Sequence, residues 1–271
     1  MIINPVKDKL DIIVLAGQSN GEGYGLGDCT EPYEPTVKIL GMWDTDNQGF
    51  TVNERPSPIF NIVLPRKYVI GLSEERRSTS GKIGCLAPYF ARKYAEERLD
   101  SDRRVLIINA AVGATGFAKG HWKEDGVLRQ RAIRMCDLAL SMNPENRIVA
   151  FLWHQGEHDA YFPANILPDE RYRKTLANLG GLISDFRGRY GKIPFITGGF
   201  TPVWVKESEH NVAVENAMRD LADEKELIAF TKTDGLEVND DAVGNGDKIH
   251  FCRNSLRLLG ERYYENYRKM I

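Results

Sequence analysis

A single α/β domain built on a buried parallel sheet is what this 271-residue chain predicts, and three observations carry the prediction. Six short, mostly apolar runs of strand length recur along the sequence. Amphipathic helical patterns lie between most of them. No repeat, low-complexity tract or linker divides the chain. Strands that read as continuous apolar runs and alternate with helices belong to sheets covered on both faces. A hydrophobic content of 42% supplies the core that such an architecture needs.

The elements follow in order. Asp11–Ala16 is a β-branched and aliphatic run that stops at Gly17, and Val37–Met42 is the second strand. Asp44–Lys82 is rich in Pro, Gly, Ser and charge, which marks a long surface excursion rather than a second domain. Ala87–Leu99 is a helix and Arg104–Asn109 the third strand. In Asp125–Met142, Leu128, Ala132, Met135, Cys136 and Ala139 recur on one helix face. Ile148–Trp153 is the fourth strand. The helix Glu170–Tyr190 ends in "YGKIP", whose glycine and following proline form a stop signal. Strands at Pro194–Gly199 and Leu227–Thr231, with helices at Val212–Lys225 and Asn254–Met270, complete one domain over residues 1–271.

Composition excludes several roles. Lys and Arg total 36 against 38 Asp and Glu, a net charge of −2, so no nucleic-acid partner is expected. No apolar run reaches membrane-spanning length, so no membrane partner is expected either. The opening "MIINPVKDKL" lacks the apolar stretch of a signal peptide, which points to the cytoplasm unless a leader has been trimmed. Cys29, Cys85, Cys136 and Cys252 lie far apart without C-x-x-C spacing and read as reduced thiols. Oligomeric state has no signature here.

Open α/β sheets place ligands at the C-terminal ends of their strands. Four polar clusters fall there: "GQSNG" after the first strand, "NAAVGATG" after the third, "WHQGEHDA" after the fourth and "GNGDKIHF" before the last helix. The first reads either as a tight turn or as a nucleophile, Ser19, held at a strand edge. In the last, Asp247 stands three residues before His250. Its carboxylate can bond one imidazole nitrogen and leave the other to accept a proton from a serine hydroxyl. The alternative is a loop in which Asp247 caps a helix. Ser19 supplies the partner, since serine is a weak nucleophile without an adjacent base. The Gly113 amide and the Gln155 side chain offer oxyanion donors, or are respectively a strand-end turn and a structural amide.

Two rival motifs use the same letters. "GQSNG" matches the G-x-S-x-G nucleophile elbow, but that elbow follows several strands, and its acid and histidine occupy separate loops. "HQGEH" matches H-x-x-E-H, a zinc-hydrolase signature that needs His154 and His158 on one helix face. The preceding strand "RIVAFLW" and Gly156 argue against a helix there, and the zinc reading stays as the runner-up. His121, Trp122, Phe200 and Trp204 either line a sugar cleft by stacking or pack in the core.

Taken together, these blocks resemble the SGNH hydrolase superfamily, in its branch of sialate O-acetylesterases and acetylxylan esterase-like carbohydrate acetylesterases. Gly17–Asn20 matches the G-Q-S-N block, Ala111–Val112–Gly113 the second, Trp153 to Asp159 the W-x-Q-G-E-x-D block, and Asp247 to His250 the D-x-x-H block. The resemblance implies a three-layer α/β/α sandwich with a flavodoxin-like parallel sheet and a Ser19–His250–Asp247 triad. It also implies an oxyanion hole from the Ser19 and Gly113 amides with Gln155. Gln18, Asn20, Glu157 and Trp122 are the expected substrate-binding residues, the substrate being a small-molecule or oligosaccharide acetyl ester. No cofactor or metal is called for. Two departures stand out: Gly21 replaces a larger residue, commonly methionine, implying a wider cleft beside Ser19, and "GATGF" follows Gly113 where a second glycine is usual. A non-catalytic carbohydrate-binding relative remains the alternative from another functional class.

Overall fold

A computed structural model of the chain describes residues 8–33, 36, 38–44, 60–63 and 84–271. Seven strands form one sheet: β1 (Lys9–Gly17), β2 (Ile39–Asp44), β3 (Phe60–Val63), β4 (Arg103–Asn109), β5 (Arg147–His154), β6 (Phe195–Gly198) and β7 (Ile228–Thr231). Their order across the sheet is β3-β2-β4-β1-β5-β6-β7. Each of the six expected strands forms, with ends moved by at most two residues. The strand that sequence reading passed over is β3, which pairs antiparallel with β2 at the edge. It lies inside the excursion expected at Asp44–Lys82, the rest of which, beyond Asp44, falls outside the described residues. Without β2 and β3 the order becomes that of the flavodoxin-like sheet, whose topological switch point falls between β1 and β5.

Alternation along β1 builds the two other layers. Leu10, Ile12, Val14 and Ala16 project into one core, and Ile13 and Leu15 into the other. The first is covered by α3 (Val127–Ser141), α5 (Pro168–Tyr190) and α6 (Glu209–Asp220); the second by α2 (Ala87–Glu97) and α8 (Arg253–Met270). Helix boundaries follow local chemistry. Pro168 and the acidic pair Asp169 and Glu170 open α5, and Gly191 caps its end. α6 begins three residues before the expected Val212 because the Ser208 side chain accepts the His210 N–H and caps the start. Three one-turn helices complete the fold: α1 (Ser19–Glu22), α4 (Glu157–Tyr161) and α7 (Asn239–Val243). None of the described helices is long and apolar enough to cross a membrane. The four cysteines are free thiols, three of them buried, with Cys136 on the core face of α3.

At the end of the sheet opposite the strand C-termini, Asp11 is fully buried and accepts four hydrogen bonds. They come from Arg103 Nε at 2.8 Å, Arg147 Nε and Nη2 at 2.6 and 3.1 Å, and Tyr94 Oη at 2.7 Å. Three strands and α2 are fastened through one carboxylate. Asp11→Ala strands the buried Arg103 guanidinium and is expected to lower the unfolding free energy by about 3–5 kcal/mol. A urea titration measures it, and a loss below about 0.5 kcal/mol, the scale of an ordinary surface change, would show that the cluster is not a clamp.

Candidate active site

The first constraint on the site is steric. Gly17, the last residue of β1, has φ +135°, and a Cβ there would overlap the His154 carbonyl at the end of β5. The next amide, Gln18 N–H, bonds that same carbonyl at 2.9 Å. The chain then leaves the sheet into α1, so Ser19 emerges at the switch point, 6% exposed. Its amide belongs to the first turn of a helix, where N–H groups have no intrahelical acceptor.

Ser19 Oγ lies 2.7 Å from His250 Nε2, and His250 Nδ1 lies 2.8 Å from Asp247 Oδ2. Burial alone would raise the Asp247 pKa, but hydrogen bonds and charge from His250, with Asn239 Nδ2 at 3.0 Å, hold it at about 2. An ionised carboxylate only accepts, so His250 carries its proton on Nδ1 and Nε2 accepts from the Ser19 hydroxyl. The other carboxylate oxygen accepts the backbone N–H groups of Ile249 and His250, each at 3.1 Å. Acid and base therefore share one short loop. The Tyr24 ring stacks on His250 with centroids 5.3 Å apart.

The residues expected to bind substrate are each held by contacts within the fold. Asn20, fully buried, accepts the Phe251 N–H at 3.1 Å and donates to the Ile249 carbonyl at 3.1 Å, gripping both neighbours of His250. It also donates to Glu157 Oε1 at 2.7 Å. Glu157 is 1% exposed, and burial pushes its pKa up. Gln18 Oε1 accepts the His158 N–H at 3.1 Å and fixes the start of α4. Trp122 is fully buried against Trp153 and donates to Thr115 Oγ1. Phe200 and Trp204 belong to the same core. A polar side chain at a strand end looks alike in sequence whether it faces a ligand or a loop, and these contacts tie each of the four into the protein. Gly21 is a correction. A Cβ there would point at Ala111 and the carbonyls of His154 and Ala16, into the fold, so the missing side chain does not widen the cleft.

Two of the expected oxyanion donors have partners already. Gly113 N–H donates to Glu22 Oε2 at 2.7 Å. Gln155 Nε2 reaches Asp159 Oδ2 at 2.9 Å, the Thr115 carbonyl at 3.3 Å and Gln18 Oε1 at 3.4 Å. Glu22, a residue that the sequence shows only as part of a glycine-rich turn, thus stands beside the Gly113 amide.

The H-x-x-E-H stretch does not form one helix. His154 ends β5, Gly156 follows at φ +149°, and His158 is on α4. His154 is fully buried, and its Nδ1 lies 2.9 Å from Tyr263 Oη, which itself donates to the Trp153 carbonyl. The phenol's proton is thereby committed, so Nδ1 is the donor. Burial lowers its pKa to about 3. Burial also lowers that of His158, whose ring lies between Tyr161 and Phe162. Among the described residues, no three His, Cys, Asp or Glu side chains converge as a metal site requires.

A family model described as carbohydrate esterase, sialic acid-specific acetylesterase, matches residues 9–269. The "Probable 9-O-acetyl-N-acetylneuraminic acid deacetylase" of Escherichia coli (strain K12) is 26% identical over 189 residues, which are 58% of this chain and 55% of that protein. The chain thus spans about half the length of this curated relative. Among solved structures, NanS superimposes with a TM-score of 0.72 at 18% identity, over 99% of this chain and 98% of its own. A protein from Arabidopsis thaliana gives 0.70 at 17%, over 96% and 98%. A carbohydrate acetylesterase from Xanthomonas citri gives 0.59 at 14%, over 96% of this chain and 56% of its own. At these identities the likeness is one of fold.

The buried neutral His154 ties stability to pH. Its folded pKa of about 3 is below the ordinary value of 6.5, so the unfolded state binds the extra proton between those values. The contribution is complete above about pH 6.5 and is lost as pH falls towards about 3. Urea midpoints of the wild type are expected to fall between about pH 6.5 and 5, and less steeply in His154→Gln. Equal slopes would mean that His154 takes up its proton in the folded protein.

Proposed function

The chain belongs to the carbohydrate esterase family of sialic acid-specific acetylesterases, and we propose that it is a serine esterase that removes O-acetyl groups from carbohydrates. The observation that carries this reading is the hydrogen-bonded chain from Ser19 Oγ through His250 to Asp247. A hydroxyl aimed at an unprotonated imidazole nitrogen, with the other nitrogen held by an ionised carboxylate, is the arrangement that activates serine towards acyl carbon.

In the proposed reaction His250 Nε2 takes the Ser19 proton as Oγ bonds the ester carbonyl carbon. The carbonyl π pair moves onto oxygen, where the Ser19 and Gly113 amides and the Gln155 side chain are the proposed donors. For two of them this means exchanging a present partner, Glu22 for Gly113 and Asp159 for Gln155. Collapse breaks the bond to the sugar oxygen, which leaves as an alcohol with the proton from His250. Water then attacks the acetyl-serine, giving its proton to His250. Acetate departs, and Ser19 regains its proton. The ionised Asp247 stabilises the imidazolium formed in both halves. The substrate class is an acetylated sugar, free or within an oligosaccharide, with xylan fragments and sialic acids as the first to try.

Ser19→Ala and His250→Ala should each lower kcat on p-nitrophenyl acetate by roughly four orders of magnitude, and the double variant little further. Exhaustive chelation should leave the wild-type rate intact, while a serine-directed phosphonate abolishes it. Loss on chelation, restoration by zinc and an active Ser19→Ala would replace this reading with metal-dependent hydrolysis. No turnover above Ser19→Ala would favour a carbohydrate-binding role.

Gln155→Ala should lower kcat by about a hundredfold with little change in KM, because an oxyanion donor acts in the transition state. An effect on KM alone would make Gln155 a residue that positions substrate.

A further inference from the structure

Both nitrogens of the His250 ring have partners, Asp247 at Nδ1 and Ser19 at Nε2, so its faces remain for any further stabilisation. The half-buried Tyr24 covers one of them. The two ring centroids are 5.3 Å apart, with 23° between the planes. An aromatic face carries the negative part of the ring quadrupole and attracts a cation within about 6 Å. A neutral imidazole gains little from that face, and an imidazolium gains more.

The backbone builds this stack. Gly23 caps α1 at φ +108° and turns the chain back towards the His250 loop. Asn239, 1% exposed, donates from Nδ2 to the Tyr24 carbonyl and to Asp247 Oδ2, each at 3.0 Å. Its Oδ1 takes the Leu26 N–H at 2.8 Å. One buried amide thus fixes the stretch around Tyr24 against the acid that orients His250. Gly25 presses the same stretch onto α8, since a Cβ there would lie 2.8 Å from the Arg253 Cα. The ionisable groups around the ring come from three elements. Asp247 and Lys248 are in its own loop, Lys248 pairing with Glu207 at 3.8 Å. Glu157 on α4 feels the charge of His250, and Glu22 on α1 stands beside Gly113. A substitution at position 24 alters none of them.

We propose that Tyr24 is a positioning residue of the reaction, acting through His250: its ring face stabilises the imidazolium that forms as Ser19 attacks, alongside the in-plane bond from Asp247. This rests on the esterase reading and adds a residue to its machinery.

The test follows kcat/KM on p-nitrophenyl acetate as a function of pH, whose acidic limb reports the base of the free enzyme. Tyr24→Leu keeps apolar bulk without a π face and should lower the plateau by about threefold to tenfold. It should also move the acidic limb down by about 0.5 to 1 in pH, because the same free energy is lost from the protonated base. An imidazolium deprived of a partner gives up its proton more readily, so the unprotonated base persists to lower pH. Tyr24→Phe keeps the ring and should recover the plateau to within about twofold, with the limb back in place. Pentafluorophenylalanine at position 24 keeps the ring's shape but reverses its quadrupole, and should lower plateau and limb together. A lower plateau with an unmoved limb in Tyr24→Leu would overturn the proposal and leave Tyr24 a packing residue. A Tyr24→Phe as impaired as Tyr24→Leu would overturn it too, because the hydroxyl would then carry the effect. If Tyr24→Leu fails to fold, the fluorinated ring decides: a limb that moves down supports the proposal and one that stays overturns it. Wild-type turnover no higher than Ser19→Ala would overturn the esterase reading itself, and the two failures are distinct because only an active wild type has a limb to move.

Discussion

The meeting of β1 and β5 at Gly17 is the constraint on which the candidate site depends. No side chain fits between residue 17 and the His154 carbonyl, and the positive φ admits glycine readily. That close approach lets the Gln18 amide extend the pairing one residue past the strand before α1 begins. From the single turn that follows come Ser19, the Asn20 clamp on the His250 loop and the Glu22 carboxylate on Gly113. A side chain at position 17 would push the strand ends apart and displace all three together.

Buried polar groups hold the two ends of the sheet in different ways. At one end a single carboxylate, Asp11, gathers Arg103, Arg147 and Tyr94, a charge compensated by charge. At the other the ties are mostly neutral amides: Gln18 to α4, Asn20 to the loop before α8, Asn239 to Asp247. Amides both donate and accept at fixed geometry, and they add no net charge beside a site whose proposed reaction develops one. Burial strengthens each such bond and makes each missing one costly.

How much of this the sequence reveals depends on whether a feature is local. The β1 pattern and the one-sided apolar spacing of α3 are written in consecutive residues, and both elements form where expected. The Asp247–His250 contact is equally local, being set by a three-residue spacing. The edge strand β3 is four residues inside a stretch dominated by turn formers, and its antiparallel pairing belongs to β2 rather than to its own letters. The partners of Asn20 and Gln18, which are Phe251, Ile249 and the His158 amide, are more than a hundred residues away, so no local spacing announces them. The same holds for Glu22, whose partner Gly113 is 91 residues on. Spacing tells which residue types meet only when one turn or one loop contains them both.

The contact between Ser19 and His250 spans 231 residues, nearly the whole chain. A loop of that length carries a large closure entropy, which the strands and helices between its ends reduce as they form. Ser19 is positioned by the meeting of β1 with β5, and His250 by a loop that Asn20 grips through Phe251 and Ile249. The hydroxyl and the imidazole therefore hang on separate supports. An opening confined to the loop before α8 would part them and leave the sheet intact.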